Sequence, residues 1–183
     1  MKIGIFGGTF DPIHIGHVNV IEEAKFALDL DKIIVVPAFL SPHKSSSTLG
    51  AEARMRCVSL ALEDYGNVFV SDFEISQGKS IYSYDTLQYF NHLYPDNEII
   101  FIIGTDQYVN FDKWYRYDDI LKIFRVAVVS RYYDDTKIRA PFEKLETPIF
   151  DVSSTLIRER MKHNEPFQHL VPHAVYQYLK ENH

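Results

Sequence analysis

Cysteine is almost missing from the sequence, since Cys57 is the one such residue among 183. A lone cysteine excludes an internal disulfide framework. No apolar run approaches the roughly 20 residues that a membrane-spanning helix needs. The first residues, MKIGIFGG, reach a glycine pair too early to form the apolar segment of a secretory signal. We therefore expect a cytoplasmic protein that has no membrane partner.

Positive charge is also scarce. The chain has 19 Lys and Arg against 25 Asp and Glu, which gives a formal net charge of -6. Proteins that coat nucleic acids carry an excess of basic residues to neutralise the phosphate backbone. This balance argues against a nucleic-acid partner or a polybasic membrane patch. It is compatible with one small phosphorylated ligand, because such a ligand needs only a few local cations.

The remaining composition is that of an ordinary globular protein, with 46% hydrophobic and 24% charged residues. A chain of 183 residues is most simply one domain with one core, so we expect a single domain over residues 1–183. The sequence does not fix the oligomeric state, and a homo-oligomer is compatible with it.

Strand and helix patterns alternate along the chain. This alternation predicts an α/β fold of the Rossmann-like, doubly wound type, with a mainly parallel sheet and helices on both faces. Such sheets bind ligands beyond the carboxyl ends of their strands, near the point where the strand order reverses. The predicted strands are 2–6, 32–37, 67–72, 98–104, 125–130 and 147–153, and the predicted helices are 18–28, 51–64, 84–94, 117–124, 155–162 and 173–181.

The segment GGTFDPIHIGH, residues 7–17, follows the first predicted strand. Its glycines allow backbone N–H groups to approach a ligand closely, and it leads into the start of a helix, where free N–H groups attract phosphate. His14 and His17 are three residues apart, so both lie on one side of the first turn and can donate hydrogen bonds to phosphate. The alternative is a glycine turn with two solvated histidines.

A metal site is a further alternative for the histidine pair, because His14 and His17 could share a cation. Such a site needs a third ligand, for which Asp11 or His43 would be the candidates. No cysteine or HExxH pattern supports it. We therefore expect no metal site formed by the protein alone.

The segment DVSSTLIRER, residues 151–160, has a related pattern. Arg158 falls in or near the first turn of the predicted helix, where the helix dipole disfavours a cation. A cation at this position is explained if an anion lies between it and the helix start. The alternative is a surface ion pair with Glu159 or Asp151. The candidates for the N-cap are Ser153, Ser154 and Thr155.

Three isolated residues have both a structural and a functional interpretation. Lys44, in the polar loop SPHK, is either solvated or close to a phosphate. Asp106, after the most apolar strand, either caps a turn or accepts from ribose hydroxyls. Trp114, the only tryptophan, is either a core residue or a stacking platform for a planar ring.

The segments at 7–17 and 153–160 resemble the two signatures of the HxGH nucleotidyltransferase superfamily. Together with SPHK, YSYDTL, IIGTDQ and KWY, in the same order, they resemble the bacterial nicotinate-mononucleotide adenylyltransferase family from residue 3 to about 179. The HxGH motif alone is shared with pantetheine-phosphate adenylyltransferase and glycerol-3-phosphate cytidylyltransferase. The KWY and SSTLIR segments narrow the resemblance.

This resemblance implies transfer of an adenylyl group from ATP, accompanied by Mg²⁺, to nicotinate mononucleotide. Pyrophosphate leaves and the deamido precursor of NAD forms, without a covalent enzyme intermediate. The alternatives are nicotinamide mononucleotide or 4′-phosphopantetheine as the acceptor, and a nucleotide-binding sensor without activity.

The resemblance also implies roles for individual residues. His14, His17 and Arg158 would contact the ATP phosphates, and Lys44 would lie near them. Trp114 would stack on the pyridine ring, while the backbone amides of Ser83 and Tyr115 would hold the nicotinate carboxylate. The further residues implied at the ATP site are Gly8, Thr9, Phe10, Asp106, Ser154 and Thr155.

One segment departs from the family pattern. The family usually has Ser-Tyr-Thr where this chain has Ile81-Tyr82-Ser83. A change from Thr to Ser matters little if the backbone amide makes the contact. Ile81 leaves the preference between acid and amide acceptors open.

Overall fold

Six strands form one sheet in the computed structural model, which describes residues 1–40, 47–131, 135–148 and 150–182. The strand order is β3-β2-β1-β4-β5-β6, and every neighbouring pair is parallel. This arrangement confirms the predicted Rossmann-like fold. The strands are β1 Lys2–Gly8, β2 Lys32–Pro37, β3 Val68–Val70, β4 Glu98–Gly104, β5 Arg125–Arg131 and β6 Glu143–Thr147.

Helices cover both faces of this sheet. One buried apolar cluster on the first face includes Ile21 of α1, Val58 of α2 and Val175 of α8, and a second cluster on the other face includes Phe90 of α4 and Ile120 of α6. The helices are α1 Ile15–Ala27, α2 Ala51–Leu62, α3 Phe73–Ser76, α4 Ser83–Leu93, α5 Thr105–Tyr108, α6 Tyr117–Ile123, α7 Ser154–Lys162 and α8 His173–Asn182, with 3-10 turns at Phe111–Lys113 and Gln168–Leu170.

The order of the strands reverses between β1 and β4. From β1 the chain winds outward to β2 and β3, then crosses to the other side of β1 and winds outward through β4, β5 and β6. The turns after β1 and β4 diverge at this point, which leaves a crevice at the carboxyl edge of the sheet. The fold therefore places the glycine-rich segment at 7–17 and the segment after Gly104 on the two sides of one crevice.

The sixth strand was predicted in the wrong place. It covers Glu143–Thr147, not 147–153. Along this strand Leu145 and Thr147 are buried while their neighbours are exposed, which is the alternation of an edge strand. Pro148 has no N–H group to continue the ladder, so the strand ends before the apolar residues that suggested it. The four-residue helices α3 and α5 were not predicted.

Candidate active site

A cavity of about 1200 Å³ lies at the crevice between β1 and β4. It exceeds the roughly 300–1000 Å³ of an ordinary small-molecule pocket, so there is room for two substrates side by side. The turns after β1 and β4 and the starts of α4 and α7 contribute to its wall. One end contains the histidines, and the other contains Trp114 and Tyr115.

Close packing shapes the turn after β1. A Cβ atom at Gly8 would lie 2.8 Å from the Phe10 ring, so the buried ring would have to shift to accommodate it. Phe10 itself has a φ of 49°, in the left-handed region. Its ring meets the His17 ring edge-on at 5.0 Å between centroids. Gly8 thus leaves room for the ring of Phe10, and both residues lie on the cavity wall.

His14 and His17 form the start of α1 together. His14 is the N-cap, and its Nδ1 accepts from the backbone N–H of His17 at 3.3 Å. In return, Nδ1 of His17 accepts from the backbone N–H of His14 at 3.2 Å. The two rings stack with 3.6 Å between centroids. This reciprocal arrangement is a capping box made from two imidazoles, where Ser and Glu usually serve. The helix therefore begins three residues earlier than predicted.

The capping bonds also determine which nitrogen holds the proton. Because each Nδ1 accepts a hydrogen bond, the proton of each neutral ring resides on Nε2. Burial, together with the neighbouring His14 charge, holds the pKa of His17 well below its ordinary value. His17 is therefore neutral near pH 7, with its Nε2–H left to donate. Both rings line the cavity.

The second signature is bonded directly to the first. Ser153 caps α7, its Oγ accepting from the N–H of Leu156 at 3.2 Å. Ser154 Oγ donates to the carbonyl of Pro12 at 2.9 Å, and Arg158 Nη1 donates to the carbonyl of Asp11 at 2.8 Å. Residues more than 140 positions apart therefore form one unit at the crevice.

Arg158 does not form the surface pair with Glu159 or Asp151 that was considered above. Its Nη2 donates to Thr155 Oγ1 at 3.1 Å, and its Nη1 lies 3.9 Å from the carboxylate of Asp11. Its side chain is 25% exposed and lines the cavity. These contacts fix the guanidinium at the cavity wall.

The carboxylate of Asp11 is bonded to the backbone ahead of α2. Its two carboxylate oxygens accept from the backbone N–H groups of Thr48 and Leu49, each at 2.8 Å. Within the described ranges, no group of three or more His, Cys, Asp or Glu side chains could hold a metal ion. His43, the other candidate for a third ligand, lies outside the described residues.

The other end of the cavity is aromatic. Trp114 is half-buried and packs against Phe111, with 5.1 Å between ring centroids. Tyr115 is 49% exposed, and its ring lies 4.7 Å from that of Tyr82. Ser83 is the first residue of α4, so its free backbone N–H points out of a helix start. Trp114, Tyr115 and Ser83 all line the cavity.

The structure places the predicted site residues on the wall of one cavity, and two residues are exceptions. Lys44 lies outside the described residues. Thr155 does not line the cavity but contacts Arg158, which does. Asp106 is an exposed carboxylate on the cavity wall. The predicted residues along the wall are Gly8, Thr9, Phe10, His14, His17, Ser83, Asp106, Trp114, Tyr115, Ser154 and Arg158.

Comparisons with known proteins identify the family of this chain. The cytidylyltransferase-like family model matches residues 5–160. A "probable nicotinate-nucleotide adenylyltransferase" from Oceanobacillus iheyensis is 36% identical and aligns over 99% of this chain and 95% of its own length. One of the same name from Aliarcobacter butzleri is 41% identical over 88% of each chain. The chain belongs to the nicotinate-nucleotide adenylyltransferase family. It is thus a nucleotidyltransferase.

Solved structures show the same fold. The nicotinic acid mononucleotide adenylyltransferase of Plasmodium falciparum, complexed with NaAD, superposes with a TM-score of 0.82 at 18% identity, covering 98% of this chain and 95% of that one. The same enzyme complexed with APC gives a TM-score of 0.81. In this chain, none of the described helices is both long and apolar enough to cross a membrane.

Arg54 is a buried residue of the chain that the sequence motifs did not single out. It lies on α2, is 0% exposed, and donates to four backbone carbonyls. Nη1 reaches those of Thr9 at 2.6 Å and Ala38 at 2.7 Å, Nη2 reaches Phe39 at 2.6 Å, and Nε reaches Leu49 at 3.3 Å. Burial lowers the pKa of its guanidinium. Arg54 therefore ties the turn after β1 to the segment after β2.

Helical spacing could have identified Arg54. Val58 and Ala61 follow it at positions i+4 and i+7, so the apolar face of α2 includes Arg54. An arginine on such a face predicts a buried cation with several hydrogen-bond acceptors. The acceptors themselves could not be predicted, because they are backbone atoms of distant loops.

Glu74 of this adenylyltransferase was also missed. It lies on α3, is 8% exposed, lines the cavity and accepts a hydrogen bond from Thr86 Oγ1 at 2.7 Å. Burial raises the pKa of its carboxyl group to about 7, although the Thr86 hydroxyl acts in the opposite direction. Nothing in the segment DFEIS distinguishes this glutamate from a surface residue.

Proposed function

We propose that the enzyme transfers the adenylyl group of ATP to nicotinate mononucleotide, forming deamido-NAD and pyrophosphate. Membership of the nicotinate-nucleotide adenylyltransferase family supports this reaction. The observation that carries the proposal is the direct bonding of the two signatures, from Ser154 to Pro12 and from Arg158 to Asp11, across the crevice. It joins two helix starts and a cation at one place, as binding a polyphosphate requires.

The reaction forms one P–O bond and breaks another. A phosphate oxygen of the mononucleotide attacks the α-phosphorus of ATP, and the bond from that phosphorus to the bridging oxygen of the β-phosphate breaks. The electron pair leaves with pyrophosphate, and no proton needs to be removed from an ionised phosphate nucleophile. Catalysis then consists of positioning and of stabilising charge on the phosphate oxygens.

The histidine end supplies this stabilisation in the proposal. Nε2–H of His14 and His17 donate to ATP phosphate oxygens, and the guanidinium of Arg158 faces the phosphates that leave as pyrophosphate. The backbone of Gly8, Thr9 and Phe10 lines the nucleotide. Supporting this assignment are the fixed Nδ1 acceptors, which leave Nε2 as the donor, and the position of all these groups on the cavity wall.

Mg²⁺ enters the proposal as part of the substrate MgATP. This ion usually keeps several waters and binds through substrate phosphates plus one or two carboxylates. Each carboxylate oxygen of Asp11 already accepts a hydrogen bond from a backbone N–H group. Asp106 is exposed on the cavity wall and can meet either the ion through water or the ribose hydroxyls. A cytoplasmic location, where ATP is supplied, belongs to the same proposal.

The aromatic end receives the mononucleotide. Trp114 stacks on the pyridine ring. The backbone N–H groups of Ser83 and Tyr115 donate to the ring carboxylate, and the cation of Lys44 lies near the phosphates. The half-buried indole and the start of the 11-residue helix α4 at one end of the cavity support this assignment. A helix start favours an anionic carboxylate over a neutral amide.

The test is kcat/KM measured side by side for nicotinate and nicotinamide mononucleotides with ATP and Mg²⁺, by pyrophosphate release. We expect a preference of roughly tenfold or more for the acid, because the site is built to bind the charged group. Comparable values would overturn the acid assignment. Turnover with 4′-phosphopantetheine instead of either mononucleotide would overturn the acceptor class.

A further inference from the structure

The aromatic end of the cavity rests on a buried contact that the proposed reaction does not use. Glu74 and Thr86 are 8% and 4% exposed, and Thr86 Oγ1 donates to Glu74 Oε1 at 2.7 Å. Glu74 belongs to α3, directly after β3, whereas Thr86 belongs to the first turns of α4. The bond therefore fixes α4 to the carboxyl edge of the sheet.

Thr86 is three residues after Ser83, so the two lie on the same side of α4, one turn apart. The backbone N–H groups of Asp85 and Thr86 both bond to the carbonyl of Tyr82, which closes this first turn. Tyr82, Ser83 and Glu74 line the same cavity. Moving Thr86 would move the helix start that faces the acceptor.

The later turns of α4 are held by other contacts. The ring of Phe73 stacks on Tyr89 with 3.9 Å between centroids and meets Phe90 edge-on at 6.2 Å. Leu87 and Phe90 are buried in the core. Loss of the Glu74 bond would therefore loosen the first turn while the rest of the helix stays packed.

We infer that Glu74 is a positioning residue for the acceptor: acting through Thr86, it fixes the first turn of α4, from which the backbone of Ser83 meets the ring substituent. This inference rests on the proposed function. It assigns to α3 a part in substrate recognition, although α3 itself carries none of the family motifs.

The test compares Glu74→Ala with Glu74→Gln, whose amide oxygen can accept the same bond from Thr86. For Glu74→Ala we expect KM for nicotinate mononucleotide to rise about tenfold, which corresponds to the loss of one buried hydrogen bond. KM for ATP and kcat stay within about twofold, and Glu74→Gln restores KM for the acceptor. An equal rise in both KM values, or an equally impaired Glu74→Gln, would overturn the inference.

Thr86→Val supplies the second arm, because it removes the donor of the same bond. It should reproduce the effect of Glu74→Ala, and the double variant should be no worse than either single variant. Additive effects would show that Glu74 does not act through Thr86.

Hydrogen exchange of residues 82–88 gives a readout that does not depend on activity. In Glu74→Ala the backbone amides of residues 82–88 should exchange faster than in the wild type, while those of residues 15–21 in α1 should exchange at the wild-type rate. Unchanged exchange at 82–88 would overturn the inference even in an active enzyme. If the wild-type enzyme uses no pyridine mononucleotide, the proposed function fails, while exchange still decides whether Glu74 positions α4.

Discussion

Replacing Arg54 by methionine tests a fully buried set of polar contacts. The guanidinium makes four hydrogen bonds to backbone carbonyls, and hydrogen bonds from a charged group contribute about 1.5–3 kcal/mol each. Desolvation of the buried cation offsets several kcal/mol of that sum. The substitution, however, leaves the carbonyls of Thr9, Ala38, Phe39 and Leu49 without their donor. We expect a net loss of about 4 kcal/mol, within the usual range for removing one partner of a buried charged contact.

The assay is urea denaturation of both proteins, together with thermal unfolding. For a chain of this size, about 4 kcal/mol corresponds to a fall in Tm of roughly 8–16 °C. Arg56→Met is the matched control, because Arg56 lies two residues along the same helix and is exposed. Its free energy of unfolding should change by less than about 0.5 kcal/mol. A loss below about 1 kcal/mol for Arg54→Met, with the control unchanged, would refute the reasoning.

Three further predictions concern the cavity. His17→Ala should lower kcat by about 10²–10³, the usual effect of removing one donor to a charged transition state, in assays of pyrophosphate release. Trp114→Ala should raise KM for the mononucleotide more than KM for ATP, because it removes the stacking surface. Glu74→Gln should become more stable relative to the wild type as pH rises. The pKa of about 7 for folded Glu74 exceeds the ordinary value of 4.5, so wild-type stability is full below pH 4.5 and falls up to pH 7, by up to about 3 kcal/mol.

Each of these has a contrary outcome. A loss of less than tenfold for a folded His17→Ala protein contradicts the phosphate-donor role. Equal changes in the two KM values for Trp114→Ala contradict stacking on the acceptor. A constant difference in unfolding free energy between Glu74→Gln and the wild type, measured from pH 4.5 to 8, contradicts the burial of a titrating carboxyl group.

The regular part of the fold could be predicted because its signals are local. The strand Glu98–Gly104 is apolar on both faces, and its predicted bounds were correct. The edge strand Glu143–Thr147 could not be located, because its alternating pattern is short and the apolar residues after Pro148 were a stronger signal. The helix α1 begins early because His14 is its cap, and histidine is not among the usual N-cap residues.

The motifs singled out His17 and Arg158 as candidates, because these residue types at helix starts point to phosphate, and both lie on the cavity wall. Their contacts with phosphate stay predictions, whereas their contacts within the protein could not be predicted. That Arg158 bonds to the carbonyl of Asp11, or that Arg54 bonds to that of Thr9, could not be predicted. Those acceptors are main-chain atoms, which every residue has, and only the folded chain places them.

The side chains of His14 and His17 cap the start of α1 reciprocally, which is a structural role in addition to the one proposed at the cavity. A proton on Nδ1 of either ring would point at the backbone N–H group from which this nitrogen accepts a hydrogen bond. A ring protonated on both nitrogens would therefore lose its bond at the start of α1. The two hydrogen bonds that begin α1 therefore also set the orientation of both rings on the cavity wall, so the start of the helix and the presentation of the motif side chains are one structural feature.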